Sequence, residues 1–368
     1  MDLKTLIRNR LEEIKDIRQT LHNNAELSNE EYKTSKIIQT YLDSLGLTYK
    51  TLANTGVVAV LNEGSDCIGI RADMDALPIN GVFHGCGHDY HMAILLGVAR
   101  VLKDLNTDKS VKFIFQPAEE DGGGALPMIN EGVLEDPKVT SMVGFHVWPG
   151  LEVGSIEATS GPSMASVDDF KILFTGKGGH GAMPDLSINP LKPAVEFTYT
   201  MENYKSSVAS TPYVLNLTSI NCGNAPNVVA DEALVMGTLR TFDDSLRTQL
   251  RNVIREKAAD FASKYGCSYS VKFEDEYPPL INDDKISKEF ITASSKLLGK
   301  DKVKALTATF AGEDFSYFAK AVPSVHFRLG IKGHGLGESP LHSSNFTAHD
   351  DALFYGIYII CNYILSQN

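Results

Sequence analysis

Five cysteines and ten histidines are spread over 368 residues, yet one Cys, three His and an Asp fall together in "HGCGHDYHM", His84–Met92. Thiolate and imidazole are ligands that zinc-like divalent ions prefer. Cys86 and His88 stand two apart, the spacing of an extended chain, which points both side chains the same way. Asp89 opens the following helix, so the cluster is expected in a loop at a helix N-terminus, where α/β sheets place their ligands. These nine positions alone fit a packed thiol beside surface histidines equally well, so the rest of the chain must decide.

Three further clusters qualify. In "FIFQPAEEDGGGA" (113–125) an apolar strand ends at a proline and two adjacent carboxylates follow. Adjacent residues point in different directions, so Glu119 and Glu120 can divide metal binding from proton handling. In "GFHVWPG" (144–150) His146 lies inside an apolar strand beside the one Trp of the chain, and in "SPLHSSNF" (339–346) His342 sits in a polar loop. Each alone reads equally as an acidic turn, a core histidine or a surface histidine. Together they supply Cys, His, Glu, His and His, enough for one or two divalent ions. A structural zinc site would favour CxxC spacings, which the sequence lacks. Five ligands with a spare carboxylate suit a two-metal hydrolytic site, bridged by a thiolate or carboxylate.

The elements that must carry these residues follow from periodicity. Leu3, Leu6, Ile7, Leu11, Ile14, Ile17 and Leu21 predict a first helix, and 30–45 a second, stopped at Gly46. Strands are expected at 56–61, 67–73, 111–115 and 142–147, with a helix over 89–105. This strand–helix alternation favours α/β layers on a largely parallel sheet. Then the pattern changes. Strands at 168–176, 213–220, 233–241 and 268–273, with helices around 190–204 and 245–266, give the β-α-β-β-α-β order of a ferredoxin-like unit. A helix near 285–298, a strand at 324–330 and a helix at 350–365 resume the first style. The reading is one α/β catalytic domain from 1–165 and 277–368, with a second domain, 166–276, inserted.

Composition narrows the class. A net charge of −12 argues against a nucleic-acid partner, which favours a basic face. No run of 18 apolar residues predicts a membrane span, and the charged N-terminus lacks an apolar signal core. Cys67, Cys86, Cys222, Cys267 and Cys361 are odd in number and irregularly spaced, which predicts reduced thiols in a cytoplasm.

The ordered motifs "RADMDALP", "CGHDYH", "FQPAEE", "GGA", "GFHVWP", "GKGGHGAMP", "NVVADEALVMGTLRT" and "AGEDFSYF" cover nearly the whole chain. They resemble the amidohydrolase branch of the aminoacylase and carboxypeptidase-like dinuclear metallopeptidases, which includes hippurate hydrolases, auxin-conjugate hydrolases and N-acetyldiaminopimelate deacetylases. The resemblance implies an α/β domain with a zinc-exopeptidase-like mixed sheet and an inserted ferredoxin-like α+β domain serving as lid and dimer contact. It implies two divalent ions (Zn, Mn, Ni or Co), with Cys86 bridging, His88 and His146 on one ion and Glu120 and His342 on the other. Glu119 becomes the general base. His180 reaches the partner subunit's site and polarises the scissile carbonyl, so a homodimer is implied. The implied substrate is an N-acyl amino acid or related amine. A dipeptidase or aminopeptidase on the same site is the alternative, and a non-catalytic metal-binding relative the third.

Other residues take supporting parts. Asp73 and Asp75 end a strand nearby and are expected to orient ligand histidines or to cap a turn. Asp89 is expected to do the same or to cap its helix. His91 is read as supporting or structural, and His84 receives no role. Asn227 and Arg240 are candidates for the substrate carboxylate, which Arg can grip through two bonds. Glu313 is a candidate pocket residue. One departure stands out: only "INGVFHG" separates Pro78 from Cys86, where members of that branch usually carry a longer acidic segment.

Overall fold

The computed structural model describes residues 2–204 and 211–367. Their contacts divide the chain into two compact units. One comprises Met1–Ser163, Ile281–Thr307 and Asp314–Asn368, the other Met164–Leu280 and Ala308–Glu313.

The first unit is built on an eight-stranded sheet. Its order is Tyr49–Leu52, Gly56–Leu61, Val111–Gln116, Cys67–Asp73, Val139–Glu152, Ser324–Lys332, Ile156–Ala158 and Val303–Ala305. The sheet is mixed, as the family resemblance implies, rather than largely parallel. Gly56–Leu61 runs antiparallel to both its neighbours, and a tight turn at 53–55 folds Tyr49–Leu52 back on it. Such short connections permit only antiparallel pairing. The central strands are parallel, and Asp73 pairs in register with Gln116. Their carboxyl ends therefore release the segments after Asp73 and after Gln116 side by side, where open α/β sheets place ligands.

Helix His88–Asp104 is the central helix of this unit. Fourteen of its seventeen residues are buried, which is why its sequence is apolar on every side. Helix Leu3–Asn23 packs against it through Ile7, Ile14 and Leu21. Helix Asp351–Ser366 approaches closely as well, since a Cβ at Gly97 would lie 2.4 Å from Ile357 Cδ1. The predicted helix at 30–45 is observed as Tyr32–Ser44, followed by Gly46 at φ +64°.

The second unit has a four-stranded antiparallel sheet ordered Tyr213–Cys222, Glu232–Thr241, Val167–Thr175 and Ser268–Tyr277. Helices Leu191–Glu202 and Asp244–Tyr265 pack on it through Phe197, Met201, Leu250 and Ile254. This is the ferredoxin-like order. Pro190 and Pro193 sit at the start of the first helix, where a missing N–H costs nothing. Gly266 closes the second at φ +71°.

Candidate metal centre

The chain does not run extended from Cys86 to His88. Gly87 is left-handed at φ +86°, and the helix begins at the next residue. A Cβ there would lie 2.5 Å from Val147 Cγ2, so only glycine fits this turn. Both side chains still converge, because the turn carries Cys86 over the start of the helix that His88 opens.

Four segments meet at this point. Cys86 Sγ lies 3.3 Å from His146 Nε2 and 3.4 Å from His342 Nε2. Glu120 stands 3.7 Å from His88 Nε2 and 3.4 Å from His342 Nε2. Two groups of potential ligands result, Cys86–His88–His146 and Cys86–Glu120–His342, each with its donor atoms within 4.8 Å of one another. Cys86 belongs to both. Glu119 and Glu120 also group with His88 at that range. Cys86, His88 and His146 are buried, whereas His342 is exposed, so the second group faces solvent.

The ring nitrogens are already sorted. His88 Nδ1 donates to the Asp75 carbonyl at 2.9 Å, and His146 Nδ1 to the Val147 carbonyl at 2.7 Å. Each leaves Nε2 turned to the cluster. His91 is different. Its Nδ1 donates to Asp73 at 2.5 Å and its Nε2 accepts from the Val147 N–H at 2.9 Å, so both nitrogens are spent. His91 ties helix to strand behind the ligands.

Asp73 binds Arg71 at 2.7 Å as well as His91. Asp75 lies 3.3 Å from His88 Nδ1 and accepts the Glu120 N–H at 2.9 Å. Both therefore support the cluster. Asp89 does not orient a ligand histidine. Its carboxylate turns to the first helix, 2.8 Å from His22 Nδ1 and 3.3 Å from Arg18, and makes no capping bond. His84 is buried beside His22, with neither ring nitrogen bonded among the described residues.

Charge and burial fit a pair of cations. Burial, then Glu120 and Glu119, push the Cys86 thiol well above its usual pKa. A thiolate here calls for strong positive charge at the sulfur. Burial holds His146 well below the usual histidine range, so it is a neutral imidazole ready to donate a lone pair. His88 is buried too, but Asp73, Asp75 and Glu120 outweigh burial and raise it to about 10. His88 Nε2 and Glu120 Oε1 are buried without hydrogen-bond partners among the described residues. Such orphaned atoms cost about 1–3 kcal/mol each unless something fills the space between them. A thiolate, three imidazoles and a carboxylate suit divalent transition ions.

Several residues here were not singled out in the sequence. Arg71 is fully buried and bonds Asp73, Gln116 and Asp314. A charge inside the apolar run "CIGIRAD" was the available signal, since buried charges need partners. Trp148 lies edge-on to His146 with Arg328 stacked 3.7 Å over its ring.

The remaining candidates belong to the second unit. His180 is exposed on a short strand paired with Val228–Val229, and its Nδ1 accepts the Ala182 N–H. The Asn227 carbonyl accepts the Gly181 N–H at 2.8 Å. Arg240 is half-buried, 3.2 Å from Asp169 and 3.0 Å from Thr238. Glu313 is buried.

Known proteins share this pattern. The sequence pattern of peptidase family M20/M25/M40 matches residues 69–366. The chain is 35% identical to thermostable carboxypeptidase 2 of Saccharolobus solfataricus, over 97% of its own length and 96% of the relative's. It is 33% identical to IAA-amino acid hydrolase ILR1-like 4 of Arabidopsis thaliana, over 92% of this chain and 82% of that one. The solved structure of a dinuclear metal-binding M20 peptidase from Bacillus subtilis superposes with a TM-score of 0.83 at 30% identity, covering 97% of this chain and 98% of the other. The resemblance read from the ordered motifs holds: the chain belongs to the M20/M25/M40 peptidase family and is a hydrolase acting on amide bonds.

Proposed function

We propose that the chain is a cytoplasmic, metal-dependent amidohydrolase that cleaves an N-acyl group from an N-acyl amino acid or related amine. The observation that carries this reading is the pair of ligand groups sharing Cys86, with Glu119 beside them. Cys86, His88 and His146 would hold one divalent ion, and Cys86, Glu120 and His342 would hold the other. Zn, Mn, Ni and Co all suit this donor set. When bound, two divalent cations supply a Lewis acid for the amide carbonyl and acidity for an attacking water.

The chain's own residues handle the proton and the substrate. Glu119 takes the proton from water and passes it to the leaving nitrogen as the C–N bond breaks. Asp73 and Asp75 fix the imidazoles behind it. Arg240 and Asn227 receive the substrate carboxylate and Glu313 lines the pocket. His180 of a second copy donates to the developing oxyanion, a contribution of roughly 3–4 kcal/mol in comparable sites.

The second domain, 166–276, serves as lid and homodimer contact. Leu191, Val195 and Tyr199 support this: they are exposed at four-residue steps along one helix, an apolar stripe uncovered among the described residues. Cys67, Cys86, Cys222, Cys267 and Cys361 are all free, which supports a reducing compartment. No helix among the described residues is long and apolar enough to cross a membrane.

The Arabidopsis relative's name supports an amino acid conjugate as substrate, while the Saccharolobus relative's name keeps a peptidase reading in view. Both leave an amino acid with a free carboxylate. A panel of N-acetyl and N-benzoyl amino acids against free dipeptides separates them. Faster turnover of the N-acyl substrates is expected, and faster turnover of dipeptides would replace this reading with the dipeptidase one.

A further inference from the structure

We propose that Glu31 is a positioning residue for the active-site turn: its carboxylate holds Ala118 in the left-handed conformation that presents Glu119 and Glu120 to the histidine cluster. Its bearing on turnover rests on the function proposed above, while its bearing on the turn does not.

Glu31 is completely buried and precedes helix Tyr32–Ser44. It sits at the N-cap, yet its side chain makes no capping bond. Its oxygens are engaged elsewhere. One accepts the N–H groups of Asn29 and Ala118, both at 2.9 Å, and the other accepts the Thr55 hydroxyl at 2.6 Å. These donors are all neutral. A buried carboxylate without a cation is costly to keep, so helix stability alone does not account for a Glu here.

Ala118 is where that carboxylate acts. Strand Val111–Gln116 ends at Pro117, which has no N–H, so Ala118 carries the first donor beyond the strand. Ala118 is buried and has φ +53°, a region that disfavours any residue with a Cβ. The turn is gripped at three points. Glu31 takes the Ala118 N–H, the Gly124 N–H donates to the Ala118 carbonyl at 3.0 Å, and Asp75 takes the Glu120 N–H. Without Glu31, Ala118 can relax toward negative φ. That rotation swings Glu119 and Glu120, the next two residues, away from His88.

Two readouts test this, using the full chain. Hydrogen–deuterium exchange of the 116–124 segment is measured on metal-free protein, so it needs neither metal nor activity. Glu31→Ala should accelerate exchange there by at least ~10-fold while the central helix stays protected. Unchanged exchange in that segment would overturn the proposal. In metal-loaded protein, Glu31→Ala should lower kcat by ~10–100-fold with little change in KM or bound metal. Ala118→Gly, which accepts positive φ freely, should restore part of that loss in the Glu31→Ala background. No restoration would also overturn it. If Glu31→Ala does not fold, Glu31→Gln, which keeps one acceptor oxygen, replaces it in both readouts with a smaller expected change. A wild-type chain that turns over no substrate would sink the proposed function, while the exchange experiment would still judge Glu31.

Discussion

The sulfur of Cys86 lies 3.3 Å from Nε2 of His146, sixty residues further along the chain, and 3.4 Å from Nε2 of His342. One thiolate thus stands between two ligand groups. Cys86→Ser puts a neutral hydroxyl in that place. Metal content, read by elemental analysis, should fall from two ions per chain to one or fewer. The kcat/KM should fall by more than the ~10–100-fold typical of losing a supporting residue. A serine variant that keeps two ions and near-normal turnover would remove Cys86 from the bridge.

Arg71 anchors the carboxylates behind the histidine cluster. Completely buried, it binds Asp73 and Asp314 at 2.7 Å each and Gln116 at 2.8 Å. Arg71→Met would leave two carboxylates buried without their cation. Breaking such a cluster from one side costs about 3–5 kcal/mol. Chemical denaturation of the metal-free variant should show a loss of that order, and a loss below about 1 kcal/mol would contradict it.

A pH dependence follows from His326. Burial, then the charges of Arg71 and Arg328, hold its pKa down at about 3. It is neutral in the fold, while in the unfolded chain it takes a proton below about 6.5. Its stabilising contribution is therefore complete above that value and is lost as pH falls toward 3. The slope is roughly 1.4 kcal/mol per pH unit for one proton. His326→Gln should flatten the stability–pH curve between pH 6 and 4 by up to that amount. Parallel curves for variant and wild type would refute the shift.

Much of this site is legible in the sequence because its chemistry is concentrated. Cys86 and His88 come as a pair, and the apolar repeats of helices 3–23 and 88–104 place them. Other features are not legible because tertiary contacts decide them. The left-handed turn at Gly87 is set by the proximity of Val147, which lies sixty residues away. His91 reads in the sequence as supporting or structural, and only the fold shows its partners, Asp73 and the Val147 N–H. Asp89 follows His88 directly, yet the helix turns it away by about 100° per residue, toward Arg18 and His22. Strands Ile156–Ala158 and Val303–Ala305 are three residues long, too short to show a period. Glu31 and Glu119 are 88 positions apart, so no local pattern joins them.

In the proposed reaction, bound divalent metal and Glu119 together hydrolyse an N-acyl amino acid. The most direct measurement strips the protein with a chelator, reloads it with Zn, Mn, Ni or Co, and follows N-acetyl and N-benzoyl amino acid cleavage in wild type and Glu119→Gln. Turnover should vanish on stripping and return on reloading. Glu119→Gln should bind the same metal yet lose ~10²–10⁴-fold in kcat. Undiminished turnover in Glu119→Gln, or no metal-dependent turnover in wild type across the panel, would contradict this reaction.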